Sequence, residues 1–189
     1  MPTNTTDNTG KRVNGIDVDT LMGTVNAVKN DPALGRCQFR ATNKWTGSSR
    51  NCTTVKAFHA AKQDIDHKQP FELHCDEPAI LAGTDEGANP VEHLLNALAG
   101  CVTTSMVAHA AVRGIEIQEL ESELEGDIDI RGFFGLADDV PKGFTAIRVK
   151  FKVKTDPKNI ETLKSLASFS PVYSTLINGA TVDIQVEPK

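Results

Sequence analysis

The strongest constraint on the fold is a helix start at Asn89, followed by a long apolar stretch. Asn89 is a good N-cap, Pro90 suits the first helical position, and Glu92 stands three residues after the cap, as in a capping box. The sequence therefore predicts a helix from Pro90 to about Arg113, closed by Gly114. Few of its residues are charged, so we expect it to be covered on most sides, in a core or at a subunit interface.

Segments of alternating apolar and polar residues flank this helix and predict β-strands. The predicted ranges are 37–42, 52–58 and 71–75 before the helix, and 115–130, 147–153 and 181–186 after it. Two shorter helices are predicted to begin at Pro157 and at Pro171, since proline suits the first turn of a helix. This order of elements indicates an α+β protein with helices packed on a mainly antiparallel sheet.

The composition fits one domain with an attached arm. The chain has 189 residues with 20 Lys and Arg against 25 Asp and Glu, which gives a formal charge of −5. We assign residues 1–34 to a polar, partly mobile N-terminal arm and residues 35–189 to the domain. The acidic balance argues against general binding to nucleic acids or membrane surfaces. The chain shows neither a secretory signal nor an apolar run long enough to span a bilayer, so we expect a cytoplasmic protein.

The cysteines raise the question of chemistry. They stand at positions 37, 52, 75 and 101, and no pair has the C-x-x-C spacing of a redox or zinc site, so we expect free thiols. His74, His93 and His109 lack the short ligand spacing to Cys101 that a metal site usually has, so we expect no metal and no cofactor. Cys101 shares one face of the predicted helix with its apolar residues Leu94 and Leu98, and with Ser105.

Two stretches resemble a known protein family. Residues 83–88 form a Gly-rich loop, Asn89-Pro90-Val91-Glu92 follows it directly, and Cys101 comes twelve residues after Asn89. This arrangement resembles the signature of the OsmC/Ohr family, named after osmotically inducible protein C and organic hydroperoxide resistance protein. A later helix start, Ser170-Pro171-Val172, resembles the second site of that family. The similarity in element order runs from about Gly35 to Glu187.

The resemblance implies an intertwined homodimer with an OsmC-like fold. Long central helices would pack between two curved sheets, with two active sites at the subunit interface. It also implies a thiol-dependent peroxidase of the peroxiredoxin-like class, acting in the response to oxidative stress. One cysteine attacks the peroxide and becomes a sulfenic acid, and a second cysteine resolves it as a disulfide. An Arg and the Glu of the helix start hold the first thiolate ready, because a thiolate needs a nearby cation to lower its pKa.

Transferred residue by residue, the family pattern is incomplete in this chain. Cys101 falls on the peroxide-reducing cysteine and Glu92 on the active-site Glu. Ser170 falls on the second cysteine, and the Arg would fall near Leu81. A serine forms no disulfide, and a leucine lowers no thiol pKa. We therefore expect a single-cysteine peroxidase that relies on an external thiol, or a non-catalytic dimer that binds an apolar small molecule.

Each candidate residue also has a purely structural interpretation. Cys101 could be a packing residue of the helix, Glu92 a capping-box partner, and Ser170 an N-cap that also hydrogen-bonds the thiolate. Cys52 or Cys75 could replace the missing resolving thiol. The remaining alternatives concern other residues: His93 or His109 could supply the missing positive charge from a second subunit, and Phe133 and Phe134 could wall an apolar pocket or simply pack.

Overall fold

The computed structural model describes residues 10–188. They form two compact units, the first comprising residues 10–12 and 17–94 and the second residues 13–16 and 95–188. The predicted mobility at the beginning of the N-terminal arm concerns residues 1–9, which lie outside the described residues. Helices and antiparallel strand pairs occur together in the chain, which confirms the α+β class.

The first unit contains a four-stranded antiparallel sheet. Its central strand β5 (Arg50–Ala60) pairs on one side with β6 (Gln63–Cys75) and on the other with β3 (Gln38–Phe39) and β4 (Thr42–Gly47). The strands predicted at 52–58 and 71–75 are confirmed within β5 and β6. The strand predicted at 37–42 is divided between β3 and the start of β4, because these two strands pair with different parts of β5. Strand β6 begins at Gln63, earlier than the predicted start at Phe71. The prediction missed residues 63–70 because they are mostly polar and show no apolar alternation.

The part of the chain assigned to a polar arm contains regular structure. Short strands β1 (Arg12–Val13) and β2 (Ile16–Asp17) pair with each other, and helix α1 (Val18–Asn30) follows. The Asp17 carboxylate caps α1 by accepting a hydrogen bond from Thr20 N at 2.9 Å. The sequence carries this signal, since four apolar residues of α1 recur at helical spacing. They are Val18, Leu21, Val25 and Val28.

Helix α2 (Pro90–Val112) begins in the first unit and continues into the second. In the second unit it is joined by the antiparallel strands β7 (Glu119–Asp127) and β8 (Ala146–Lys154). Three shorter helices complete this unit: α3 (Ile130–Phe133), α4 (Ile160–Leu166) and α5 (Pro171–Asn178). The buried core of the second unit joins α2 to α4 through Leu98, Val102, Met106, Ala110, Leu163 and Leu166.

By length and composition, α2 could also cross a membrane, a test that apolar core helices of soluble proteins pass as well.

Two predicted strand segments differ from the structure. Residues 181–186 form no strand in the described chain, because a period-two pattern needs a partner strand to become a ladder. Ile115 and Ile117 precede β7 as loop residues, and Asn14 fixes this loop. Its amide donates to the Ile115 carbonyl at 2.9 Å, and its Oδ1 accepts from Ile117 N at 2.8 Å.

Candidate functional site

The start of α2 forms the predicted capping box. Asn89 Oδ1 accepts a hydrogen bond from Glu92 N at 2.9 Å, and Glu92 Oε2 accepts one from Asn89 N at 2.9 Å. Two backbone N–H groups that the helix itself cannot pair are satisfied in this way. The Glu92 carboxylate is therefore explained by the helix start, as the structural interpretation of the sequence proposed.

The loop before α2 is organised by a buried carboxylate that sequence reasoning missed. Asp76 is only 1% exposed and accepts hydrogen bonds from Ser49 Oγ at 2.6 Å and Thr84 Oγ1 at 2.7 Å. It also accepts from three backbone N–H groups, those of Glu77, Thr84 and Glu86. These donors, led by the two hydroxyls, hold the pKa of Asp76 well below its usual value. The carboxylate thus ties the loop to the end of β6.

Two glycines let this loop pack closely against the strand end. A Cβ on Gly83 would lie 1.7 Å from the Glu77 carbonyl oxygen, and one on Gly87 would lie 2.9 Å from the His74 carbonyl oxygen. The Gly-rich character of residues 83–88 therefore has a steric cause in the loop itself.

A pocket of about 360 Å³ opens beside this loop in the first unit. Arg50, at the start of β5, lines it and donates from Nη1 to Glu86 Oε2 at 2.9 Å. Two cysteines of neighbouring strands, Cys52 and Cys75, also line it. Burial, followed by the charge of Glu77 and by Cys52, raises the pKa of the Cys75 thiol, so Cys75 is a poorer nucleophile than an exposed cysteine.

In the second unit, Cys101 lies on α2 as a free, half-buried thiol. It stands next in sequence to the buried core residue Val102. Within the described part of this unit, its backbone carbonyl accepts from Thr104 Oγ1 at 3.4 Å, and its sulfur makes no hydrogen bond. Cys101 is therefore a half-buried residue, and in the described part of this unit no donor or cation is bonded to its sulfur.

Ser170 is a fully buried N-cap. Its hydroxyl accepts a hydrogen bond from Tyr173 N at 3.2 Å and so starts α5, as predicted. The expected hydrogen bond from Ser170 to the Cys101 sulfur is not formed in the described structure, where the Ser170 oxygen accepts from Tyr173 N.

The two histidines proposed as a source of positive charge have other contacts. The His93 ring donates from Nε2 to the His74 carbonyl oxygen at 3.1 Å. The His109 ring stacks on Phe169, with ring centroids 4.1 Å apart. Burial, and then the charge of Arg113, lowers the pKa of His109, so this ring is neutral at pH 7. Neutral His109 is therefore unsuited to stabilise a thiolate.

Glu92 and Cys101 are nine residues apart on one helix. At 1.5 Å and 100° per residue, this spacing puts about 13 Å of axial rise and about half a turn between them. A single copy of α2 therefore does not bring Glu92 to the thiol.

Phe133 and Phe134, considered above as the wall of an apolar pocket, contact each other. Their ring centroids are 5.2 Å apart, and both side chains remain more than half exposed.

Comparison with known proteins supplies the family. A family model described as OsmC-like protein matches residues 83–185, more than half of the chain. The structure is similar to that of a candidate osmotic stress induced and detoxification response protein from Psychrobacter arcticus 273-4. That likeness has a TM-score of 0.55 and 17% sequence identity, and covers 74% of this chain and 88% of that chain.

A second similar structure is that of an OsmC like protein from Mycoplasma pneumoniae. Its TM-score is 0.57 and its sequence identity 18%, and the likeness covers 75% of this chain and 88% of that chain. At such identities the two structures confirm the predicted OsmC-like fold and nothing finer. A search of curated proteins finds no significant match. The family model, which covers the Gly-rich loop, the helix start, Cys101 and Ser170, shows that this chain belongs to the OsmC-like protein family.

Proposed function

We propose that the protein reduces organic hydroperoxides through the single thiol of Cys101, with an external thiol closing the cycle. The observation that carries this proposal is a free, half-buried cysteine on the central helix of an OsmC-like chain. Exposure matters because a peroxide must reach the sulfur, and a thiol sealed in the core would be inert.

The reaction balances with one cysteine. The Cys101 thiolate attacks a peroxide oxygen, the O–O bond breaks, and the alkoxide takes up a proton and leaves as an alcohol. The sulfur retains the other oxygen as a sulfenic acid. An external thiol displaces water from the sulfenic acid and forms a mixed disulfide. A second external thiol then releases Cys101 and leaves as a disulfide with the first.

The residue at the second family position supports an external reductant. Ser170 is buried and its hydroxyl caps α5, so it supplies no sulfur that could form a disulfide there. Cys75 is disfavoured as a substitute, because burial raises the pKa of its thiol. A small thiol from solution is the simplest reductant that fits these residues.

We further propose that the active form is a homodimer. Glu92 and Cys101 point to opposite sides of α2, so a Glu92 that serves Cys101 would come from another copy. Large apolar side chains are also exposed on the single chain, and a partner would cover them. Examples are Phe39, Trp45, Ile80, Leu136 and Ile184. Free cysteines throughout fit the reducing cytoplasm in which we propose that the protein acts.

Trapping the sulfenic acid tests the chemistry directly. Wild-type protein is treated with one equivalent of cumene hydroperoxide and a dimedone-type probe, and the modified peptides are mapped by mass spectrometry. We expect the probe on Cys101, and we expect Cys101→Ser to lose that adduct. Labelling of other cysteines with Cys101 unmodified would contradict the proposal.

A second function is favoured by one observation, the lack of any hydrogen bond to the Cys101 sulfur within the second unit. An unactivated thiol suits a non-catalytic dimer that binds an apolar small molecule. Native mass spectrometry of the purified protein distinguishes the two functions. A bound molecule that persists while Cys101 stays unmodified by peroxide would favour the binding protein.

A further inference from the structure

Three side chains of the first unit, Cys52, Glu72 and His74, bring a thiol, a carboxylate and an imidazole together on the β5–β6 ladder. One ligand atom of each lies within 4.8 Å of the others. We propose that these three residues bind a divalent metal ion of the Zn²⁺ class. From the sequence, His74 could be considered as a metal ligand only together with Cys101, because spacing along the chain does not show which strands pair.

The register of the ladder explains why these residues meet. Cys52 on β5 lies directly opposite His74 on β6, and Glu72 precedes His74 by two residues. Directly opposed residues, and residues two apart on one strand, point to the same face of a sheet. The three side chains therefore share one face by backbone geometry, whichever rotamers they adopt.

The backbone at this end of β6 is well anchored. The His74 carbonyl accepts a hydrogen bond from His93 Nε2 at 3.1 Å. Two residues later, the buried Asp76 carboxylate is held by five hydrogen bonds. A fixed backbone limits the cost of ordering the ligands to their side chains.

The donor set suits zinc in chemistry and in charge. A thiolate, an imidazole and a carboxylate are the three ligand types that Zn²⁺ takes in proteins, and three protein ligands leave a fourth position for water. A Cys52 thiolate and a Glu72 carboxylate together neutralise the charge of the ion. On binding, the Cys52 thiol gives its proton to solvent.

The distances are close to those of a tetrahedral site. Zinc bonds of about 2.0–2.3 Å place ligand atoms roughly 3.5 Å apart. His74 Nε2 and Glu72 Oε2 are already 3.7 Å apart. Glu72 and His74 are exposed, so small side-chain rotations can complete the approach. The pocket of about 360 Å³, which Cys52 and His74 line, leaves room for the fourth ligand.

Metal titration of the full chain tests this site. Protein that has been reduced and freed of metal with a chelator is titrated with Zn²⁺ by calorimetry. It is titrated separately with Co²⁺, whose thiolate charge-transfer absorption reports a sulfur ligand. We expect one ion per chain and a thiolate–cobalt band. Cys52→Ser should abolish the band, and both Cys52→Ser and His74→Ala should weaken Zn²⁺ binding by at least about tenfold.

Cys37→Ser is the matched control, because it removes an exposed thiol outside both the cluster and the pocket that the cluster lines. It should bind Zn²⁺ as the wild-type protein does, and circular dichroism checks that every variant is folded. The proposal is overturned if the wild-type protein shows no saturable binding at micromolar Zn²⁺. It is equally overturned if Cys52→Ser keeps the cobalt band, or if the control loses it.

Discussion

At the scale of single residues, the proposed chemistry depends on Cys101 and Ser170. Cys101 keeps the thiol on α2, free and half-buried. Ser170, at the position where the family resemblance expects a second thiol, is a buried N-cap. The sequence alone predicts the cap at Ser170, because caps are local in sequence. It could not identify the surroundings of the sulfur, which depend on residues distant in the chain.

Removal of the Ser170 hydroxyl should destabilise the protein. Ser170→Ala leaves Tyr173 N without its acceptor in a buried position, so we expect the free energy of unfolding to fall by about 1 kcal/mol. Ser168→Ala, an exposed serine just before it, should change stability by less than about 0.5 kcal/mol. Urea denaturation measures both. Equal stability of the two variants would show that the cap contributes nothing.

The buried carboxylate of Asp76 should make stability depend on pH. Its folded-state pKa lies below the ordinary 3.8, so its contribution is present above about pH 4 and is lost as pH falls through the folded pKa. Asp76→Asn should therefore lower the melting temperature most at neutral pH, and the difference from wild type should shrink at acid pH. Thermal melts from pH 2 to pH 7 test this, because the loss extends well below the ordinary pKa of 3.8. The exposed Asp66→Asn is the control, and a pH-independent deficit in Asp76→Asn would contradict the electrostatic account.

At the scale of elements, features set by neighbouring residues could be predicted from the sequence, whereas contacts between residues distant in sequence could not. The start and end of α2 follow from Asn89, Pro90 and Gly114, each readable within a few residues. The turn between β5 and β6 passes through Ala61 and Lys62, both with positive φ, where the sequence has no Gly or Asn to signal it. The bond from Ser49 to Asp76 joins residues 27 apart, so no local pattern announces it.

Variants of the capping box separate the structural role of Glu92 from a catalytic one. Asn89→Ala removes the acceptor for Glu92 N and should cost about 1 kcal/mol of stability. Glu92→Gln keeps an oxygen that accepts from Asn89 N and should stay within about 0.5 kcal/mol of wild type. If Glu92 also serves Cys101, Glu92→Gln lowers peroxide turnover at unchanged stability. Unchanged turnover would restrict Glu92 to its cap.

At the scale of the whole molecule, the single chain exposes large apolar side chains, which a second copy would cover in the homodimer that we propose to be active. The clearest case is the segment predicted as a last strand, where Val182, Ile184 and Val186 alternate with polar residues. All three are at least 78% exposed. The alternation predicted a strand, but a ladder needs a partner that the described chain does not supply. A single sequence does not show which strand such a segment would pair with.

A homodimer would explain this exposed surface, and ultracentrifugation tests it. We expect the mass of two chains at micromolar concentration, because burial of apolar surface drives association. Ile184→Asp should weaken the dimer, whereas the neighbouring Asp183→Asn should not. Sedimentation of the wild-type protein as one chain would contradict the dimer and, with it, a Glu92 supplied by the partner.

Steady-state turnover of an organic hydroperoxide tests the central claim most directly. Wild-type protein, Cys101→Ser and the exposed-cysteine control Cys37→Ser are compared at equal concentration, with cumene hydroperoxide and an excess of dithiothreitol. We predict catalytic consumption by the wild type and by Cys37→Ser, and only the uncatalysed rate with Cys101→Ser. Equal rates for wild type and Cys101→Ser would contradict the assignment of Cys101 as the reacting thiol.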